Sequence, residues 1–487
     1  MQLSVRNQLS MPALIQIQLW LFIKHQLNIV LLLLFLAVGF YGLYQGFAFK
    51  KKQNEVINAF RSEKNETLRE MLTGFDADTL TTEGKAAYQK VTALNLVNWN
   101  TVLPAYKIPN TTAIYAIGQS DIFPYYYTVK LESFFMQLFK QNEIANPLRS
   151  LAGHFDTSFW IIYLLPLLIV VLGFNALSSE LDNGNWKLIS SQGVSAKNWV
   201  QSRIILIALC VEALFAIVFI SGIVINYFCF DQSPALTDLI FFVMANLYLC
   251  FWLAMLYLFN SFALNTSASA LYSGVLWIMI CIVIPTLTTT VIEKLVPVDN
   301  TNVSRMSRRP QDPRIENDTF AVSLIKKYGL LKPAYKSASI KPSDRWFGFA
   351  KYYAYHELLD DSNHVAVGTY YEDIEYRQRL NNASVIINPA AAVDGIFSHL
   401  ACNDAEAAHH FVWDVKDLHQ RMHDALFPPV FDVRPFTKAD FAKLPVSDGR
   451  IKKAVSSLVL INLCVLSLLV VVLVRWASHL LVKIRAI

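Results

Sequence analysis

Six long apolar runs constrain this chain more than any other feature: Leu27–Phe49, Phe159–Asn175, Ile204–Tyr227, Leu236–Phe262, Leu271–Ile292 and Ala454–Arg475. A bilayer core about 30 Å thick is crossed by roughly 20 apolar helical residues. Inside it every backbone N–H and C=O must be paired internally, which leaves only helices and closed barrels. The runs are unbroken Leu/Ile/Val/Phe stretches rather than the alternating segments of a barrel. The expected fold class is therefore an all-α polytopic membrane protein with six transmembrane helices. Composition agrees: of 487 residues 54% are hydrophobic and 16% charged, against about a quarter charged in soluble domains. Pro166 predicts a kink in the second run. The first run exceeds a signal-peptide core and ends in "FAFKKKQ" without a small-residue cleavage site, so it is expected to stay as a span.

Six spans divide the chain into an interfacial elbow helix at 1–26, spans at 27–49, 159–175, 204–227, 236–262, 271–292 and 454–475, a first polar domain at 50–158, a hairpin at 176–203, a second polar domain at 296–453 and a tail at 476–487. Both domains then fall on one side of the membrane, and the termini and hairpin on the other. Arg6, Lys24, Lys187, Lys197, Arg203, Arg475, Lys483 and Arg485 mark the hairpin side as cytoplasmic. Lys50, Lys51 and Lys52 oppose this, but long loops translocate largely regardless of charge. The two extracytoplasmic domains read as mainly helical. "NEVINAFRSEKNETLREMLTGF" continues the first span as a stalk ending near Gly74, and "HVAVGTYY" carries a strand signal. Asn146-Pro147 and Asn388-Pro389 each precede a helical pattern.

The chemistry-bearing residues exclude more than they offer. No Gly-x-x-x-x-Gly-Lys-Ser/Thr phosphate loop occurs, so any ATP used on this protein's behalf is bound by another chain, and no cofactor is expected here. His419 and His423 stand four apart on a helical pattern, with His409, His410 and the His356-Glu357 pair in the same domain, but Asp360 occupies the place of a second zincin histidine. Surface histidines on a polar helix are the expected reading, and no metal site is assigned. Glu212 lies about two turns inside the third run. A charge at a span centre costs about 2.5–3.5 kcal/mol on insertion scales, so Glu212 faces protein or water. It is a pathway or gating residue, or a hydrogen-bond partner of Asn246 or Asn462. Of the two cysteines outside the spans, Cys229 and Cys402, separate thiols are favoured over a disulfide. The net charge of +5, with no basic–aromatic stripe, points to no nucleic acid.

The polar stretch "SSELDNGNWKLISSQGVSAKNWVQSR", Ser178–Arg203, separates the second and third runs. Leu177, Leu181, Leu188 and Ile189 recur near helical spacing, with Glu180, Asp182 and Lys187 toward water. Gly184 permits a bend, "SSQG" a turn, and Ser195 caps a helix running through Trp199 and Arg203. The product is a short, stiff element along the membrane surface. It is suited to receive a push from a soluble partner, or to lie there as an inert helix anchored by Trp186 and Trp199.

These residues resemble the permease subunits of ABC-2-type transporters, which follow span two with Glu, a Gly-Thr step, Leu-Leu, Ser, a Pro-Val-Ser turn and a basic residue. Here Glu180, Gly184, Leu188-Ile189, Ser190-Ser191, Gly193-Val194-Ser195 and Arg203 hold those places, with Asn185 for the Thr and Gly193 for the Pro. "AIGQSDIFP", "NPLRSLAGHFDTSFW" and "NPAAAVDGIFSHLACNDAEAAHHFVWDV" are similar to a branch with two large extracytoplasmic domains. The resemblance implies an export-type transporter in the bacterial inner membrane, itself no enzyme. Two separate ABC-type ATPase subunits carry ATP and Mg, and a second copy or a homologous permease completes a dimer. It makes Glu180, Gly184, Lys187, Leu188, Ile189, Ser195 and Arg203 the ATPase-coupling site. Membrane lipids and an extracytoplasmic protein are further candidate partners. Two alternatives stay open: an ATP-driven mechanotransmission complex gripping an extracytoplasmic protein, and a polytopic metal-dependent membrane enzyme using the outer histidines. The cargo leaves no readable mark.

Overall fold

A computed structural model describes residues 10–94, 96–97, 101–120, 123–140, 155–298, 312–335, 340–449 and 456–484. Arg6, Arg485, the Asn146-Pro147 step and the basic linker up to residue 311 lie outside them. An elbow helix α1 (Met11–Lys24) leads into α2 (Gln26–Gly74). The first polar segment holds α3 (Thr82–Thr92), the strands β1 (Leu103–Tyr106) and β2 (Tyr126–Val129), and α4 (Phe134–Lys140). Then come the helical run α5 (Thr157–Asp182), α6 (Asn185–Ser191), α7 (Ala196–Phe230), α8 (Leu236–Asn260) and α9 (Thr266–Leu295). The second polar segment supplies α10 (Asp318–Leu331), α11 (Phe347–Ala383), α12 (Pro389–Leu400), α13 (Ala405–Phe431) and α14 (Lys438–Ala442), and α15 (Ser457–Lys483) closes the chain. Six of these, α2, α5, α7, α8, α9 and α15, are long and apolar enough to cross a bilayer.

Two spans carry a local irregularity with an identifiable cause. In α5 a π turn at Trp160–Leu164 precedes Pro166, and in α9 one at Met279–Val283 precedes Pro285. Each proline lacks an N–H and crowds the preceding turn, and the wider turn absorbs both effects. The lipid-type face of α2, with Leu27, Val30, Leu33 and Leu34, is exposed. Hydrocarbon matches such a face without penalty.

The two polar segments share one core. Met71, Leu103 and Phe135 from the first pack into the same cluster as Tyr353, Val367 and Phe427 from the second. β1 and β2 pair antiparallel, Leu103 opposite Val129. The strand expected at "HVAVGTYY" is instead part of α11. Its apolar residues Val367 and Tyr371 are both buried and stand four apart, the spacing of one helical face rather than of a strand.

Where this core meets the bundle, residues 110–117 are inserted among α2, α7, α8 and α12. Tyr115 stacks on Phe219 and Phe241 and donates to Phe219 O at 2.7 Å. Lys50 is fully buried there. Its Nζ donates to Asn110 O at 2.8 Å, Asn226 Oδ1 at 2.7 Å and Gln232 Oε1 at 2.6 Å. A buried ammonium with all three donors satisfied is a structural tie between α2 and α7, not a surface charge of the kind that the Lys50–Lys52 count assumed.

Candidate functional site

The hairpin is built from the break in α5 onward. Residues 174–177 leave the helix, which orphans backbone groups that a side chain must satisfy. Asn260, at the end of α8, does so: its Nδ2 donates to Gly173 O at 3.0 Å and its Oδ1 accepts from Leu177 N at 3.2 Å. Trp199 Nε1 donates to Ala176 O at 3.0 Å and closes the base from the α7 side. Gly184 takes φ +73° and turns the chain from the end of α5 into α6. Gln192 and Gly193 then reverse it, with Gly193 at φ +83°. Ser190 and Ser191 are still helical, so the turn lies one step later than "SSQG" suggested. Ser195 Oγ accepts from Asn198 N at 3.2 Å and caps α7.

Trp186, Val194 and Trp199 turn inward and form a small core with Leu14 of α1, Tyr257 and Leu258 of α8, and Ala477 and Leu481 of α15. Asp182 Oδ2 accepts from Thr266 N at 2.7 Å, tying the hairpin to the start of α9. The hairpin is thereby fastened to the ends of four other helices, α1, α8, α9 and α15, at the end of the bundle remote from the polar core.

The residues singled out from sequence separate into groups. Lys187 and Leu188 face outward, Leu188 with 66% of its surface exposed. Ile189, its neighbour in the motif, packs instead against the hairpin core. Glu180 Oε2 accepts from Asn185 Nδ2 at 3.3 Å within the hairpin. Gly184 and Ser195 set its shape. Arg203 braces it from inside: Nη2 donates to Leu172 O at 3.3 Å and the guanidinium lies 5.6 Å from the Phe22 ring centre. Sequence reasoning placed Asp182 toward water without its tie to Thr266, and it passed over Asn260. A lone Asn ending an apolar run was the available signal for the latter.

Glu212 is half-buried on α7 and forms no hydrogen bond among the described residues. The asparagines weighed as its partners bond their own helices, Asn246 to Phe242 O and Asn462 to Leu458 O. A cavity of about 480 Å³ opens at the polar-domain end of the bundle between Asp156, Tyr163, Glu293, Arg377 and Asp394, and Glu212 does not line it. Cys229 is exposed, Cys402 Sγ accepts from Asn110 Nδ2 at 3.6 Å, and the two are not bridged.

Of the histidines expected at the surface, His410 is exposed, whereas His356, His419 and His423 are buried in the polar core. His419 Nε2 lies 2.8 Å from Glu132 O, and His423 Nδ1 lies 2.8 Å from Glu357 Oε1. Burial, with His423 alongside, drives His419 down to about 3, so it is neutral at physiological pH. Burial pushes the Glu357 carboxyl up, but the opposing pull of His423, His419 and Lys332 outweighs it and holds Glu357 at about 2.

A family model described as ABC-2 family transporter protein matches residues 22–407. No curated protein and no solved structure matches the chain.

Proposed function

This chain belongs to the ABC-2 family of transporter proteins, and from that premise we propose that it is the permease of an ATP-driven, export-type transporter energised through its Ser178–Arg203 hairpin. The observation that carries this reading is Leu188. A large apolar side chain, 66% exposed, stands on the outer face of an otherwise polar hairpin. The hairpin is held rigid by a core drawn from α1, α6, α7, α8 and α15. Such a residue is suited to fill an apolar pocket on a partner, and the fastened base carries the resulting force into the bundle. Force of this kind does work only by biasing two alternative packings. The partner is a pair of ABC-type ATPase subunits that hold ATP and Mg. Two permeases, identical or homologous, pair across the membrane. The protein sits in a bacterial inner membrane with its termini and hairpin cytoplasmic and its polar core outside.

The test is a pulldown of the tagged full chain from its native cells. The wild type is expected to carry an ABC-type ATPase, and Leu188→Asp to lose it while keeping the wild-type melting temperature. An ATPase recovered at wild-type yield with Leu188→Asp would overturn the docking assignment.

One observation favours a second reading, force transmission to an extracytoplasmic protein. α2 runs unbroken for 49 residues, about 74 Å at 1.5 Å per residue. It joins the bundle to the shared polar core, where Met71 is buried.

A further inference from the structure

We infer that Glu357, His419 and His423 form a binding site for a divalent transition-metal ion, zinc by preference, that clasps α11 to α13 inside the polar core. The family match ends at residue 407, ahead of both histidines, and the inference does not depend on how ATPase subunits dock. His419 and His423 lie one turn apart on α13, with ring centres 3.9 Å apart. One donor atom from each of the three residues lies within 4.8 Å of the other two. Two imidazoles and one carboxylate make a donor set that suits zinc, at metal–ligand distances of about 2.0–2.2 Å.

The surroundings resemble those of a ligand set more than those of a plain ion pair. A metal-bound histidine usually pins its other N–H on a carboxylate or a backbone carbonyl, which fixes the ring and its tautomer. His419 Nε2–H donates to Glu132 O at 2.8 Å. Its Nδ1 is left with a lone pair, the form in which imidazole ligates. His423 Nδ1 lies 2.8 Å from Glu357 Oε1, and an ion bound by both takes the place of the proton between them. His423 Nε2 is buried and has no hydrogen-bond partner among the described residues, in a side chain only 2% exposed. Buried polar atoms are nearly always satisfied. A simple pair of His423 with Glu357 explains the 2.8 Å contact, but not the second imidazole, whose ring centre lies 3.9 Å away with its plane tilted by 56°.

Access is also provided. A cavity of about 290 Å³ bounded by Glu357, Asp360 and His419 lies against the cluster and gives an ion, and a water as fourth ligand, a way in. Lys332 and Lys416 share that wall, so retention relies on ligation rather than on a general negative field. The site would be a staple: it ties α11 to α13 and, through Glu132, to the loop before α4.

The full chain, purified in detergent, is incubated with zinc chloride, desalted, and its metal measured by plasma mass spectrometry. Thermal melts are run in zinc and in chelator. The wild type is expected to retain one zinc per chain and to melt higher in zinc than in chelator. His419→Gln and His423→Gln are each expected to lose the metal and the difference in melting, whereas His410→Ala, on the exposed side of the same helix, keeps both. A wild type that emerges without zinc and melts identically in chelator overturns the site, and that result needs no folded variant. Zinc retained by the double His419→Gln, His423→Gln chain overturns it equally.

Discussion

Asp440 illustrates how much one residue does that its sequence context hardly announces. Arg434 clamps its carboxylate through both nitrogens, at 2.8 and 2.9 Å, while Thr437 donates from N and Oγ1 at 2.9 and 2.8 Å. Burial pushes the carboxyl up, but these donors outweigh it and bring it from 3.8 to about 2. A depressed carboxylate stabilises the fold above its unfolded value and loses that contribution as pH falls from 3.8 through about 2. Arg434 is partly in water, which screens the pair, so roughly 1 kcal/mol is the expected contribution rather than the full shift at about 1.4 kcal/mol per pH unit. Asp440→Asn should lower stability by that amount at neutral pH. The gap to wild type should narrow in unfolding curves taken below about pH 4; a gap independent of pH would show that charge is not what the turn uses. Leu188 and Ile189 make a complementary point. One motif reads them as a pair, yet one faces out and the other packs in, so only the first is suited to test docking without disturbing the fold.

At the scale of elements, two glycines are required for opposite reasons. Gly184 has open space around its Cα but takes φ +73°, a conformation that costs an L-residue roughly 1–2 kcal/mol. Gly184→Ala should therefore destabilise the hairpin by about 1 kcal/mol without moving any neighbour. Gly46 has ordinary helical backbone, but a Cβ there would stand 1.9 Å from Ile114 O. That oxygen belongs to the turn at Thr111–Ile114, wedged beneath Tyr115 and the Lys50 network, so nothing flexible can give way. Gly46→Ala should lower the melting temperature well beyond Gly184→Ala; equal losses would mean that the 110–117 segment is not fixed in the mouth of the bundle. The sequence showed where helices run because apolar spacing is local. It mistook "HVAVGTYY" for a strand because β-branched and aromatic residues fit either state until the burial of Val367 and Tyr371 on one face decides.

At the scale of the whole molecule, the proposal stands on sidedness. In a chain whose native cysteines have been replaced, a membrane-impermeant maleimide added to intact cells should label Tyr376→Cys, exposed on α11, and leave Leu188→Cys unlabelled until the cells are opened. The reverse pattern would put the hairpin outside and remove its access to ATP. The apolar runs alone determined that this is a six-span helical membrane protein, since a bilayer penalises every unpaired backbone group within each span separately. The hairpin, too, was legible as a local motif of turn and cap residues. Contacts between distant residues were not. Lys50 bonds Asn226 across 176 residues, His423 meets Glu357 across 66, and the two polar segments fill one core. Such pairings depend on which surfaces packing brings together, and no run of neighbouring residues encodes them, so only the tertiary structure decided which polar side chains became ties, braces and ligands.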